Sequence, residues 1–137
     1  MGEKKEGIER VCNFLEEAQT YYLATIDGNQ ARVRPFGTVL LYDGKLYIET
    51  GKSKSVSKQI AENPNVEICA FLNGVWLRVA GELVNDDDRS VKVKMLEKMP
   101  SLSAMYDPDD GNMQMLYFKN ATATFSSFTA APEVITF

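Results

Sequence analysis

The dipeptide Asn73-Gly74 separates two runs of alternating apolar and polar residues, 66–72 and 75–84, and constrains the fold more than any other feature of the chain. A two-residue connection whose central positions both need positive φ selects Asn and Gly, and it closes an antiparallel hairpin. Related punctuation recurs along the sequence. Residues 21–26 read as a strand ended by Asp27-Gly28-Asn29, and residues 45–50 as another entered through Asp43-Gly44. Between them, residues 31–41 read as extended chain, with Pro35 at an edge or bulge where no ladder donor is needed. Residues 113–118 and 121–128 read as two closing strands before a Val134-Ile135-Thr136-Phe137 tail.

Helical spacing is confined to shorter stretches. Ile8, Val11, Cys12, Leu15 and Ala18 define a helix over residues 7–18, and a second begins near Ser53 and runs to Ala61 before Asn63-Pro64-Asn65 stops it. Asp86-Asp87-Asp88 supplies caps for a third that ends at Met99, with Val91, Met95, Leu96 and Met99 on one face and a further helical turn over 101–106. Strands outnumber helices, which predicts a mainly β, α+β fold: an antiparallel barrel with helices over its ends. A chain of 137 residues with no linker or low-complexity tract predicts one domain over residues 1–137.

The available chemistry is narrow. With no histidine in the chain, Ser-His-Asp and Cys-His nucleophilic systems and His-containing metal sites are excluded. Neither a GxGxxG fingerprint nor a Walker lysine motif is present. Cys12 and Cys69 sit in apolar contexts without ligand spacing and read as buried thiols, and the acidic run at 107–111 lacks the alternation and terminal Glu of a calcium loop. If the protein is an enzyme, a cofactor must carry the reaction. A net charge of -4 argues against a nucleic-acid or anionic-membrane surface. The first residues lack the apolar segment of a signal peptide and no run reaches membrane-spanning length, which predicts a cytoplasmic protein.

Local charge runs against the global sign. Thr50-Gly51-Lys52-Ser53-Lys54-Ser55-Val56-Ser57-Lys58 sets three lysines and three serines at the start of a predicted helix. A helix N-terminus already carries partial positive charge and prefers Asp or Glu in its first turn. Lysines there are explained by an anion, on which N–H groups, hydroxyls and ammonium groups can converge. Arg32-Val33-Arg34-Pro35-Phe36 puts two arginines on one face of a strand, with no acidic partner adjacent in sequence. Each basic group also has a purely structural explanation: a solvated surface turn for the lysines, pairing with distant carboxylates such as Glu49 or Glu67 for the arginines. Trp76, the single tryptophan, shares a strand face with Arg78 and reads either as a core side chain or as a planar wall for an aromatic ligand.

In this order, Arg32-Val33-Arg34-Pro35-Phe36, Thr50, the Ser/Lys helix start, Asn63-Pro64-Asn65-Val66 and Trp76-Leu77-Arg78-Val79-Ala80-Gly81 resemble the pyridoxamine 5'-phosphate oxidase-like family. The resemblance spans nearly the whole chain and is strongest to the short bacterial branch that includes nitroimidazole-resistance (Nim) proteins and flavin-binding stress proteins. It implies an FMN-binding split β-barrel, antiparallel with peripheral helices, that holds FMN noncovalently at a homodimer interface. It implies cofactor contacts from Arg32, Val33, Arg34 and Pro35 along the flavin, with Arg32 toward the phosphate. Thr50 is implied near the ribityl chain, Ser53, Lys54 and Lys58 at the phosphate, and Trp76 at the flavin as a contribution from the second subunit.

The chain departs from the true oxidase by lacking its carboxy-terminal Arg-rich segment and any histidine for a pyridoxal phosphate pocket. Flavin-dependent reduction or oxidation of a small planar substrate, with a nicotinamide donor, is therefore expected over vitamin B6 oxidation. Flavin storage or sensing without turnover, and a deazaflavin in place of FMN, are the alternatives. The lack of histidine disfavours haem.

Overall fold

Residues 2–137 are described in a computed structural model. Three hairpins form where tight turns are predicted. β1 (Tyr21–Asp27) pairs antiparallel with β2 (Gln30–Phe36), β3 (Leu40–Tyr42) with β4 (Lys45–Gly51), and β5 (Asn65–Leu72) with β6 (Val75–Asp86). Asn73 and Gly74 adopt φ of 51° and 78°, and Asp43 and Gly44 φ of 53° and 71°. Positive φ at both central residues gives the turn whose twist matches that of the flanking strands.

Two further strands, β7 (Met113–Ser127) and β8 (Glu133–Thr136), complete one eight-stranded sheet in the order β2-β1-β5-β6-β7-β4-β3, with β8 added to β7. The predicted extended run over 31–41 thus divides into strands at opposite edges of the sheet. The three residues between them bridge those edges. Thr38 accepts a hydrogen bond from the Tyr21 hydroxyl at 2.7 Å through its carbonyl, while its own hydroxyl contacts the Glu49 N–H at 2.9 Å and the Glu49 carbonyl at 3.2 Å. The sheet therefore curls until its edges approach without pairing, which is a split barrel.

The end of the chain differs from expectation. Residues 113–118 and 121–128 are not separate strands but parts of the single strand β7. Lys119-Asn120 resembles a turn in sequence, and Asn120 does take a left-handed φ of 52°. Its effect is a bulge: the β6–β7 register steps from Ala80↔Thr122 to Glu82↔Lys119, so one extra residue is accommodated on β7. Gly81 lies opposite, where a Cβ would fall 3.1 Å from Ala121 Cα and 3.2 Å from the Lys119 carbonyl oxygen. The tail after residue 128 contains β8, and beyond it Ala121 and Phe137 exchange backbone hydrogen bonds of 2.7 and 2.9 Å that continue the ladder.

Helices α1 (Gly2–Ala18), α2 (Ser55–Glu62) and α3 (Arg89–Lys98) fall close to their predicted positions, with a 3-10 helix at Pro100–Ala104. Asp88 caps α3 by accepting from the Ser90 N–H at 2.9 Å. Ile8, Val11, Cys12 and Leu15 of α1 pack with Leu23, Ile68, Leu77, Val79 and Ile48 in the principal core. A second cluster, built on Tyr47, Met95, Tyr106, Met113 and Met115, lies under α3 and the 3-10 helix. β4 separates the two and is buried on both faces, so it holds polar residues away from water. No helix among the described residues is long and apolar enough to cross a membrane.

Candidate functional site

β4 delivers the chain to α2 through a tight turn. The N–H groups of Lys52 and Ser53 donate to Asn112, to its carbonyl at 2.7 Å and its side chain at 2.9 Å, and the Lys54 N–H donates to the Gly51 carbonyl at 3.0 Å. A Cβ at Gly51 would lie 3.0 Å from both Asn112 Nδ2 and the Tyr106 hydroxyl, so those two side chains would have to give way. Lys54 occupies the N-cap position of α2 without a side-chain capping bond, and the first turn contains no acid. The helix therefore begins with its partial positive charge uncompensated, and lysine adds to it.

The lysines are not equivalent. Lys52 turns to Asp87, with Nζ 3.1 Å from Oδ1. Lys54 extends over the Tyr106 ring, 5.9 Å from its centroid, and Lys58 is exposed on the next turn. Ser53 and Ser55 are exposed beside them. Beneath this cationic turn, Thr50 is only 2% exposed and its Oγ1 lacks a hydrogen-bond partner. Glu49 Oε2 is likewise buried without a partner. Burial pushes the Glu49 carboxyl up to about 8, with Lys54 opposing the shift and Asp110 adding to it.

The arginine strand meets the lysine helix at one point. Gln59 Oε1 accepts from Arg34 at 2.7 Å and from the Thr25 hydroxyl at 2.6 Å. Arg34 also donates to Thr25 Oγ1 at 2.8 Å and to the Leu23 carbonyl at 3.1 Å. Burial, and then the nearby Arg32, lower the Arg34 pKa. Arg32 does have an acidic partner close in sequence, contrary to the expectation above: its Nε lies 3.0 Å from Asp27 Oδ2, across the turn that joins β1 to β2. Val33 and Pro35 point to the opposite, outer face, where Val33 is 67% exposed.

Trp76 lies on that outer face, half-buried, with its ring 5.1 Å from that of Phe128 and with Phe71 opposite on β5. It is neither a core side chain nor a neighbour of the lysines within one chain. Ser126, its partner on β7, and Gln114, the β7 partner of Thr50, stand at opposite ends of that strand. Gln59, Thr25 and Asn112 are the components that sequence reading does not single out, while Glu49, expected there as a possible partner for an arginine, is buried with its Oε2 unpartnered. A carboxylate within the apolar run Leu46-Tyr47-Ile48-Glu49 is a signal for its burial.

A cavity of 360 Å³ lies beside the far end of α2, between Pro64, Asn85 and Gln114, where Gln114 bridges Ser57 and Asn85 at 2.6 and 2.8 Å. One of 540 Å³ lies elsewhere, against Lys45, Tyr117 and Lys119. Neither is lined by Arg34, Thr50 or Lys54.

Residues 8–127 match the family model for pyridoxamine 5'-phosphate oxidase. The chain belongs to that family. Among solved structures it is similar to a NimC/NimA family protein from Clostridium acetobutylicum, at 43% identity and a TM-score of 0.95, over 99% of this chain and 96% of that one. General stress protein 26 from Bacillus anthracis shares the fold at 19% identity and a TM-score of 0.75, over 95% and 98%. So does an FMN-binding, pyridoxamine 5'-phosphate oxidase-related protein from Nostoc punctiforme, at 16% identity and a TM-score of 0.59, over 96% and 95%. No curated protein matches the chain.

Proposed function

We propose that this protein binds FMN, with the phosphate at the N-terminus of α2, and acts as an FMN-dependent oxidoreductase on a small planar substrate. The observation that carries this reading is the buried, partnerless Thr50 hydroxyl beneath a helix start that is uncapped and lysine-rich. A buried hydroxyl without a hydrogen bond is costly, and a ligand that reaches it removes the penalty. A phosphate monoester also satisfies the free end of α2 and the charges of Lys54 and Lys58. The residues present therefore fit the group.

Within that reading, each residue has a limited task. Lys54, Lys58, Ser53 and the first N–H groups of α2 hold the phosphate, and Thr50 accepts or donates at the adjoining polyol. Arg34 is held by Gln59 and Thr25 where β2 meets α2, so it orients the bound molecule from a fixed base. Arg32, engaged by Asp27, adds long-range positive charge. The outer-face residues Val33, Pro35 and Trp76 serve a second copy of the chain, which completes a site that one copy leaves open. FMN, when bound, supplies the transfer of hydride between a reduced nicotinamide and an acceptor.

Flavin binding without turnover is the second reading, favoured by the absence of histidine as a general acid or base. Titration with FMN, riboflavin and a deazaflavin tests the cofactor, and assay with NADH or NADPH and an artificial acceptor tests turnover. Preference for FMN over riboflavin with multiple turnovers is the expected result. Equal affinity for riboflavin overturns the phosphate site, preferential binding of the deazaflavin reassigns the cofactor, and tight FMN binding without turnover selects storage or sensing.

A further inference from the structure

Thr50 lies directly opposite Gln114 in the β4–β7 ladder, so their side chains share one face of the sheet. Directly opposed residues of an antiparallel pair have Cβ atoms about 4.5–5.5 Å apart, close enough for an amide to reach a hydroxyl. Thr50 is 2% exposed and Gln114 9%, so neither has bulk water to turn to. The Thr50 hydroxyl is nevertheless without a partner. What isolates it is the work Gln114 already does.

Gln114 is the middle member of a chain of polar contacts that starts at Lys52, before α2, and returns to Ser57 within it. Lys52 Nζ lies 3.1 Å from Asp87 Oδ1, and Asp87 Oδ2 accepts from Asn85 Nδ2 at 3.1 Å. Asn85 Oδ1 accepts from Gln114 Nε2 at 2.8 Å, and Gln114 Oε1 accepts from the Ser57 hydroxyl at 2.6 Å. The direction of the chain is fixed from its Asp87 end. An ionised carboxylate only accepts, so the Asn85 NH2 faces Asp87 and the Asn85 carbonyl is left for Gln114, which answers with its own NH2 and receives Ser57 through its carbonyl. Both ends of the Gln114 amide are thereby engaged, and neither bonds Thr50. Buried polar groups pair wherever a partner is in reach, so an untied amide beside a bare hydroxyl would close on it.

We propose that Asn85 and Gln114 are positioning residues for the cofactor: the chain from Asp87 to Ser57 withholds the Gln114 amide from Thr50 and keeps that hydroxyl free for the ligand's polyol. This inference rests on the FMN reading of the site and adds the residues that prepare its polyol contact. Neither Asn85 nor Gln114 touches the ligand. When Asn85 loses its side-chain carbonyl, the buried Gln114 NH2 has no acceptor, and Thr50 Oγ1 offers one. The ligand must then displace an internal hydrogen bond, and its affinity falls with the fraction of molecules in which Thr50 is still free. That loss belongs to the polyol, because Lys54 and the first N–H groups of α2 take no part in the chain.

The test titrates FMN, riboflavin and lumiflavin by flavin fluorescence. The three share one ring and carry polyol with phosphate, polyol alone, and neither. The riboflavin-to-lumiflavin affinity ratio reads the polyol contact, and the FMN-to-riboflavin ratio reads the phosphate. Asn85→Ala is expected to lower the polyol ratio about threefold to tenfold, the range of one net hydrogen bond, and to leave the phosphate ratio within about twofold. Adding Gln114→Met, which removes the amide that closes on Thr50, should restore the polyol ratio. A chain that merely holds α2 in place behaves otherwise: the second substitution deepens the defect and the phosphate ratio falls too. Either of those results, or an unchanged polyol ratio in Asn85→Ala, overturns the positioning role and leaves the FMN site standing. Should the double variant fail to fold, the Thr50→Val background decides: Asn85→Ala should lower the polyol ratio no further there, and an additive loss overturns the proposal. A parent that binds riboflavin no better than lumiflavin overturns the polyol contact and the proposal, whereas equal parent affinities for FMN and riboflavin overturn the FMN reading itself and the proposal with it.

Discussion

Lys52 and Lys54 are two residues apart and carry the same charge, yet the fold gives them different work. Lys52 is committed to Asp87 in an exposed pair, which typically contributes less than about 1 kcal/mol. Lys54 stands at the uncapped end of α2, whose first turn holds no acid, and its ammonium lies over the Tyr106 ring. Lys54→Ala is expected to weaken FMN binding about tenfold to a hundredfold, and Lys52→Ala by less than about threefold, in low-salt titrations. Equal losses would assign the effect to general charge instead of position. Glu49 carries a separate expectation for stability. Its folded-state pKa is raised from 4.5 to about 8, so the stability it contributes is complete below pH 4.5 and is lost as pH rises toward 8. Denaturant melts of the ligand-free protein should show this loss at up to about 1.4 kcal/mol per pH unit for one linked proton. The corresponding slope should be absent in Glu49→Gln.

The elements most legible in the sequence are those that tight turns specify. Asn73-Gly74 and Asp43-Gly44 required positive φ at paired positions, and the structure supplies it. β7 was less legible because Lys119-Asn120 carries the polar, left-handed signature of a turn, and only the facing strand reveals a bulge. Gly81 is the complement of that bulge. A Cβ at Gly81 meets backbone on β7, which cannot give way as a flexible side chain can. Gly81→Ala is expected to cost about 1–3 kcal/mol in urea unfolding. An unchanged midpoint would show that β6 and β7 can separate there freely. The candidate site was legible for a related reason. Lysines at a helix start are a local contradiction, readable without tertiary information. The Arg34–Gln59–Thr25 junction joins the β1–β2 hairpin to α2, 25 or more residues further along the chain, and Glu49 was visible only as a possible partner for an arginine. Asp27, the partner of Arg32, lay five residues away and was readable once the hairpin was drawn.

At the scale of the molecule, the outer face of the sheet poses the remaining question. Val33 of β2, Tyr22 of β1, Phe71 of β5, Val134 of β8 and Phe128 beyond β7 are all exposed there, Phe71 at 65% and Phe128 at 92%, with Trp76 half-buried among them. Apolar side chains presented together on a sheet face mark an interaction surface. The lysine turn and Arg34 line neither of the cavities beside α2 and β7, so a flavin ring held from them needs a second wall. Trp76 cannot supply it within its own chain, because it pairs with the end of β7 remote from Thr50. In the proposed dimer a two-fold partner would supply it twice over, since an isologous interface forms two equivalent sites. Sedimentation at micromolar concentration is expected to give a dimer with close to one FMN per chain. The double variant Phe71→Glu and Phe128→Glu places like charges on both copies and should shift the protein to a folded monomer. That monomer should also lose FMN affinity by at least about tenfold, although every cationic residue of the site is retained. A monomeric variant with undiminished FMN affinity would place the whole site within one chain and leave the outer face to some other partner.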